Sequence, residues 1–340
     1  MKLSKSLFDR YCKQGLLKKQ EDERGLCVYT YTQFTQQEHL WNNITRKARG
    51  IVLDQDGEVV QFCFEKFFNY NEPEAYTDLA VRKIDYEDLF RNSDIFEKID
   101  GSLIKITKHS KYGLVITSKG SFDSDQVGMA KEILKENPEY VDALIENYTY
   151  LFELIHPQNR IVVDYGEEKD LKLLGVISDE GVEMPSKMFI EKDFPFKKAS
   201  AIEDLDEYMN RDNVEGVVLV YNDLFRVKMK TDKYVELHRI VTNWTEKKVW
   251  EVLKSGGDPL SMPFPEEFQE WLLRTVADLQ NNFSQVYSDT LKKKEMLSDM
   301  SDKELGLSDF EDKNLIFALR RGNDISNKVW NIIKPEGGTR

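Results

Sequence analysis

The spacing of apolar residues changes period once along the chain, near Thr242, and that change limits the fold more than any other feature. Before it, apolar and polar residues alternate. The run GLCVYTYTQF (25–34) alternates, and two further runs within 49–64 flank the turn Asp54-Gln55-Asp56-Gly57, which predicts a hairpin. The same pattern predicts strands over 102–107, 113–118, 149–155, 160–165, 171–177, 215–221 and 225–230. Helical spacing interrupts them over 124–136, with Met129, Ile133 and Leu134 on one face, and over 202–210. The first 20 residues read as an amphipathic helix around Leu7, Phe8 and Tyr11. Hairpin-linked strands with a few helices predict an α+β domain built on antiparallel sheets. After Thr242 the pattern is helical throughout. A helix from Trp244 stops at Gly256-Gly257, and Phe268, Leu272, Val276, Leu279, Phe283 and Val286 form one stripe. Short helices follow near 311–320 and 325–333. The expected organisation is an α+β domain over 1–242 and an all-α C-terminal domain over 243–340, a division that suits 340 residues better than one core.

Composition removes several classes. No apolar run approaches the ~20 residues of a membrane-spanning helix. The start, MKLSKSLFDRYCKQG, lacks the apolar stretch of a secretory signal, so a cytoplasmic protein with no membrane partner is expected. Cys12, Cys27 and Cys63 cannot all pair and form no CxxC. The four histidines are too widely spread for a zinc module. A net charge of −13, from 48 basic and 61 acidic residues, excludes an all-over basic coat for nucleic acid. It leaves room for a local basic cleft, because affinity follows local potential.

The segment with the most chemistry in it is FEKIDGSLIKI (96–106), where Lys98, one residue, and Asp-Gly-Ser open a strand. By itself this reads as a surface turn, with Asp and Gly there for turn geometry. A lysine is a nucleophile only when unprotonated, which nearby cations and desolvation favour. Lys228 and Lys230 alternate with Val227 and Met229, so both ammonium groups share one face of a strand. They are either phosphate ligands in a cleft or solvated lysines of an edge strand. Glu153 interrupts an otherwise apolar strand, which is costly unless a partner or ligand meets it.

Further runs stand in a definite order around Lys98: ARGIVLD (48–54), EKFFNYNE (65–72), TSKGSF (117–122), LFELIHPQNRIVV (151–163), VEGVVLV (214–220) and FRVKMKTDKYVELH (225–238). Together they resemble the covalent nucleotidyltransferase superfamily of ligases and capping enzymes, and more closely the phage RNA ligase 1 family, over nearly all of residues 45–240. The helical tail is similar to that family in length, all-α character and the Pro-Glu-Gly at 335–337.

The resemblance implies an α+β nucleotidyltransferase domain with two antiparallel sheets around an ATP cleft. It implies Lys98 as the nucleophile that takes AMP from ATP with Mg2+. The implied ATP-binding set is Arg49, Lys66, Glu97, Lys98, Gly101, Lys119, Phe152, Glu153, Glu215, Gly216, Lys228 and Lys230. Within it Glu153 is assigned to the ribose, and Phe152 to the adenine or simply to core. Glu215 is assigned to the divalent metal and α-phosphate, and Lys66 and Lys119 to the β- and γ-phosphates. The implied partner is RNA with 5′-phosphate and 3′-hydroxyl ends, broken tRNA included, sealed by a monomer in the cytoplasm of the host cell if phage-encoded. A DNA ligase or capping enzyme would carry an oligonucleotide-binding barrel after the domain, where this chain is helical. A DNA ligase would also tend to have Arg where this chain has Leu103. A non-catalytic RNA-binding or assembly factor derived from a ligase would be expected to have lost Lys98 or the paired lysines.

Overall fold

In a computed structural model of the chain, all residues are described except 186–193, 223–224, 242–243, 262–265, 311 and 336–340. The described residues divide into two compact units, Met1–His238 and Arg239–Arg340. The expected boundary at 242/243 and part of the Pro-Glu-Gly lie outside the described residues.

The alternating segments of the first unit form three four-stranded sheets rather than two. The first joins β1 (Leu17–Glu21), β2 (Cys27–Tyr31), β3 (Arg49–Leu53) and β4 (Val59–Gln61) in chain order. Here the N-terminal helix α1 (Lys5–Lys13) ends early, and Leu17–Glu21 pairs antiparallel with β2 instead of continuing it. A second sheet has the order β10-β9-β7-β8, from β7 (Ser102–His109), β8 (Gly113–Ser118), β9 (Thr149–Ile155) and β10 (Asp170–Ile177). The third has the order β5-β12-β11-β6, from β5 (Phe68–Asn69), β6 (Ser93–Lys98), β11 (Gly216–Tyr221) and β12 (Phe225–Lys230). Its β5–β12 pairing is parallel and the other pairings in all three sheets are antiparallel.

Period-two alternation gives each sheet one core face. In the second sheet Ile104, Ile106, Tyr150, Phe152 and Leu154 pack on Val127, Ala130, Ile133 and Leu134 of a helix over Asp125–Glu136. In the third, Val217, Leu219, Val227 and Phe68 are covered by two helices that the spacing did not predict, Pro73–Arg82 and Tyr86–Asn92. Proline opens the first of these, and the Asp85 carboxylate caps the second by accepting from Asp88 N–H at 2.7 Å. Gln61 joins the first two sheets: its amide donates to Val115 O at 2.8 Å and accepts from Thr117 Oγ1 at 2.7 Å.

Residues 160–165 do not form the expected strand. The backbone N–H groups of Val162 and Val163 instead donate to Asp100 Oδ2, at 2.9 Å each. A carboxylate has taken the donors that a neighbouring strand would need.

The second unit is helical among its described residues. Helices over Glu246–Lys254 and Glu266–Met296 bury Val249, Trp250, Leu272, Val276 and Leu279 against each other. Shorter helices over Lys313–Arg320 and Ser326–Ile332 add Leu315, Ala318 and Val329. No helix among the described residues is long and apolar enough to cross a membrane.

Candidate active site

The third sheet gathers the lysines. Lys98, the last residue of β6, stands opposite Gly216 of β11, and Gly216 stands opposite Lys230 of β12. Phe96, Val218 and Lys228 form the next row. One face therefore carries Lys98, Lys228 and Lys230, and the other carries Ile95, Val217, Leu219, Val227 and Met229 into the core. Val-Lys-Met-Lys is an interior strand with one face buried, not a solvated edge.

Glu215 lies at the head of this array and is 3% exposed. Its Oε2 accepts from the Lys98 ammonium at 2.7 Å, and its Oε1 lies 2.8 Å from Lys230 Nζ. Burial alone would raise the Glu215 carboxyl, but the two ammonium groups outweigh it and hold the pKa below the usual carboxylate range. Both oxygens of Glu215, the residue expected at the divalent metal and α-phosphate, are engaged by lysines. Gly216 has φ +152°, and a Cβ there would lie 1.9 Å from Met229 O. Only glycine lets β11 and β12 close tightly enough to bring Lys98 and Lys230 to one carboxylate.

The turn after Lys98 is anchored through Asp100. Its Oδ2 holds the 162–163 backbone, its Oδ1 accepts from Tyr234 Oη at 2.8 Å, and its own N–H donates to Tyr165 Oη at 2.9 Å. Gly101 lies flat on β9, where a Cβ would meet Leu154 O at 2.3 Å and Glu153 Cγ at 3.1 Å. Glu153 thus sits beside the Lys98 turn, on the face of the second sheet away from the core. Burial pushes its pKa up to about 7; the Lys98 charge opposes this, Glu215 adds to it, and Arg49 opposes it. A carboxylate so placed is suited to a ribose hydroxyl or a divalent cation.

Arg49, at the start of β3, reaches the same place. Its guanidinium lies over the Phe67 ring at 5.2 Å and 3.8 Å from Cys63 Sγ. Lys119 donates to Tyr31 Oη at 2.7 Å, and its backbone carbonyl packs against Gly50. Lys66 is buried over the rings of Phe68, at 4.2 Å, and Trp41, at 5.3 Å, with its ammonium donating to Phe67 O at 3.1 Å.

Two expected site residues turn away. Phe152 is fully buried among Tyr150, Leu154 and Phe196, on the opposite face of β9 from Glu153, which is the core alternative of the two expected for it. Glu97 points its carboxylate to Ser200 N–H at 2.9 Å, on the face of β6 away from Lys98, which leaves only its backbone near the site. Among the described residues, no three His, Cys, Asp or Glu side chains are grouped to hold a metal ion.

A family model described as RNA ligase matches residues 47–234. The chain belongs to the RNA ligase family. An RNA ligase of Rhodothermus phage RM378 is 24% identical, covering 82% of this chain and 81% of its own length. A putative bifunctional polynucleotide kinase/RNA ligase of Autographa californica nuclear polyhedrosis virus is 28% identical over 64% of this chain, which spans about a third of that larger protein. Among solved structures, an archaeal ATP-dependent RNA ligase shares 11% identity over 80% of this chain and 75% of its own, with a TM-score of 0.47. A Naegleria gruberi RNA ligase with ATP and Mn shares 14% over 45% and 54%, with a TM-score of 0.37.

Besides the residues named from the family motifs, this ligase-family chain buries Lys105, which sequence reasoning missed. It lies on β7 between Ile104 and Ile106, faces the first sheet, is 0% exposed, and donates to Gly50 O. Burial drives its pKa down to about 8, the Cys63 sulfur opposing and the Arg49 charge assisting. The ammonium fixes the backbone between Arg49 and the rest of β3. The available signal was a lysine inside the apolar run SLIKIT.

Proposed function

We propose that the chain is an ATP-dependent RNA ligase that joins 5′-phosphate to 3′-hydroxyl ends through a lysyl-AMP intermediate, in the repair of broken RNA such as tRNA. The observation that carries this reading is Lys98 and Lys230 meeting at the two oxygens of one buried carboxylate, Glu215.

Lys98 leaves Glu215, gives up a proton to solvent and attacks the α-phosphorus of ATP. A P–N bond forms and pyrophosphate departs. AMP then passes to the 5′-phosphate of one RNA end. The 3′-hydroxyl of the other end attacks that phosphate, forming the phosphodiester and releasing AMP. Lys230 and Lys228 supply positive charge where the phosphates gain negative charge. Arg49 presents a planar donor fork to the nucleotide, while Lys119 and Lys66 suit the outer phosphates as point charges.

Mg2+ fits this donor set, because it keeps several waters and needs only one or two carboxylates plus phosphates. Glu153, and Glu215 once Lys98 has left it, are the carboxylates that would hold the ion, directly or through its waters. When bound, the ion neutralises phosphate charge.

The test is incubation with α-labelled ATP and Mg2+ followed by denaturing electrophoresis. A labelled protein band that releases AMP in acid supports lysyl-AMP. Absence of label, with the protein folded, overturns the reading.

A further inference from the structure

Charge is unevenly distributed in this acidic chain. Residues 1–20 contain six basic side chains and one acidic, although the whole carries −13. Asp9 engages two of the six, Lys19 at 2.8 Å and Lys5 at 3.1 Å. Lys13 and Lys18 are exposed, and no carboxylate among the described residues pairs with either.

The fold puts these two at one end of the first sheet, where the Arg49 and Lys119 side of the site also lies. Lys18 of the edge strand β1 pairs with Thr30, and Thr30 pairs with Arg49. Two strand spacings, about 10 Å, therefore separate the Lys18 and Arg49 backbones. The next residue of β2, Tyr31, receives the Lys119 ammonium, and a side chain at Gly120 would strike the Thr30 methyl. Lys13 ends α1 just before the turn into β1.

An aromatic residue stands at the same rim. The helix over Gln33–Gln37 is pinned to the α1–β1 turn, since Thr32 Oγ1 donates to Gly15 O at 2.7 Å and Thr35 Oγ1 to Leu16 O at 2.5 Å. That helix leaves Phe34 52% exposed. Exposed ammonium groups and an exposed ring at the sheet end that also carries Arg49 match single-stranded nucleic acid: cations for its backbone and a π-face for a base.

We propose that Lys13, Lys18 and Phe34 form a docking rim for the single-stranded RNA leading to the end being joined, with phosphates on the two lysines and a base on the phenyl ring. This rests on the reading of the chain as an RNA-joining enzyme. The rim reads backbone and stacking, not sequence.

Binding of a fluorescein-labelled, 5′-phosphorylated single-stranded oligoribonucleotide to the full chain, followed by anisotropy at several salt concentrations, tests it. The Lys13→Ala/Lys18→Ala double variant is expected to bind about tenfold more weakly. Its slope of log affinity against log salt should fall by about 1.4, as for two lost single-strand phosphate contacts. Phe34→Ala is expected to lose about tenfold with the slope unchanged. Lysyl-AMP formation should stay within twofold of wild type in both variants. Unchanged affinity and slope overturn the proposal, as does a parallel loss of lysyl-AMP, which would tie these residues to the ATP step or to folding. If the wild type binds RNA through the rim but forms no lysyl-AMP, the rim stands and the ligase mechanism falls.

Discussion

Lys98 and Gly216 stand directly opposite one another in the β6–β11 ladder, and the residue before that glycine, Glu215, takes the lysine ammonium at 2.7 Å. Lys98 is thus positioned by strand register, not by a flexible loop. Four of the five predictions below depend on that arrangement or on the adjoining Glu153.

Replacing Lys98 by Ala should abolish labelling by ATP and sealing of 5′-phosphorylated RNA, while RNA supplied with a preformed 5′-adenylate is still joined. Lys98→Arg should be equally inactive toward ATP, because a guanidinium stays protonated. Label on either variant assigns the adduct to another residue.

Lys230→Ala and Lys228→Ala should each slow lysyl-AMP formation by about 10²-fold or more, if their charge acts in the transition state. Single-turnover rates at saturating ATP separate this from weaker ATP binding. Normal rates in both variants would remove the β12 lysines from the chemistry.

A methyl group at Gly216 would lie 1.9 Å from Met229 O, so Gly216→Ala must spread β11 from β12. Overpacking of this kind costs about 1–3 kcal/mol. A lower midpoint of thermal unfolding together with loss of lysyl-AMP is expected; an unaffected adduct yield would mean that the ladder tolerates the spread.

Glu153 has a folded-state pKa raised to about 7 against an ordinary 4.5. Between those values the folded protein binds more protons at this site than the unfolded chain, so the contribution of Glu153 to stability falls as pH rises through the window. Glu153→Gln removes that slope. Its stability relative to wild type should climb between pH 4.5 and 7, by on the order of 2–3 kcal/mol. Denaturant titrations across the range measure the difference, and parallel curves would place the carboxyl in water.

A chain ending at residue 242 should still form lysyl-AMP but lose its preference for a nicked stem-loop over a linear oligonucleotide, if the helical unit contacts structured RNA by shape and phosphates. An unchanged ratio removes the helical unit from substrate choice, and an insoluble or adduct-dead protein makes it a folding partner.

Much of the site was legible because strands alternate. Lys228 and Lys230 had to share a face whatever lay beneath them, and Glu153 stood out as an acid in an apolar run. The same rule, applied once more, separates Phe152 from Glu153 and Glu97 from Lys98, since adjacent strand residues point oppositely. Motif resemblance had grouped them. What local spacing could not contain was pairing at a distance. The third sheet joins residues 93–98 to 216–230, so nothing near Lys98 announced it. The strand expected at 160–165 failed for a related reason, because the carboxylate that captures its N–H groups belongs to Asp100, some sixty residues earlier. Lys105 was passed over because its partner, the Gly50 carbonyl, lies on another sheet.

The contact between Lys98 and Glu215 also bears on chemical durability. An ammonium group in an ion pair has no lone pair to share, so cyanate, aldehydes and stray acyl phosphates find nothing there to react with.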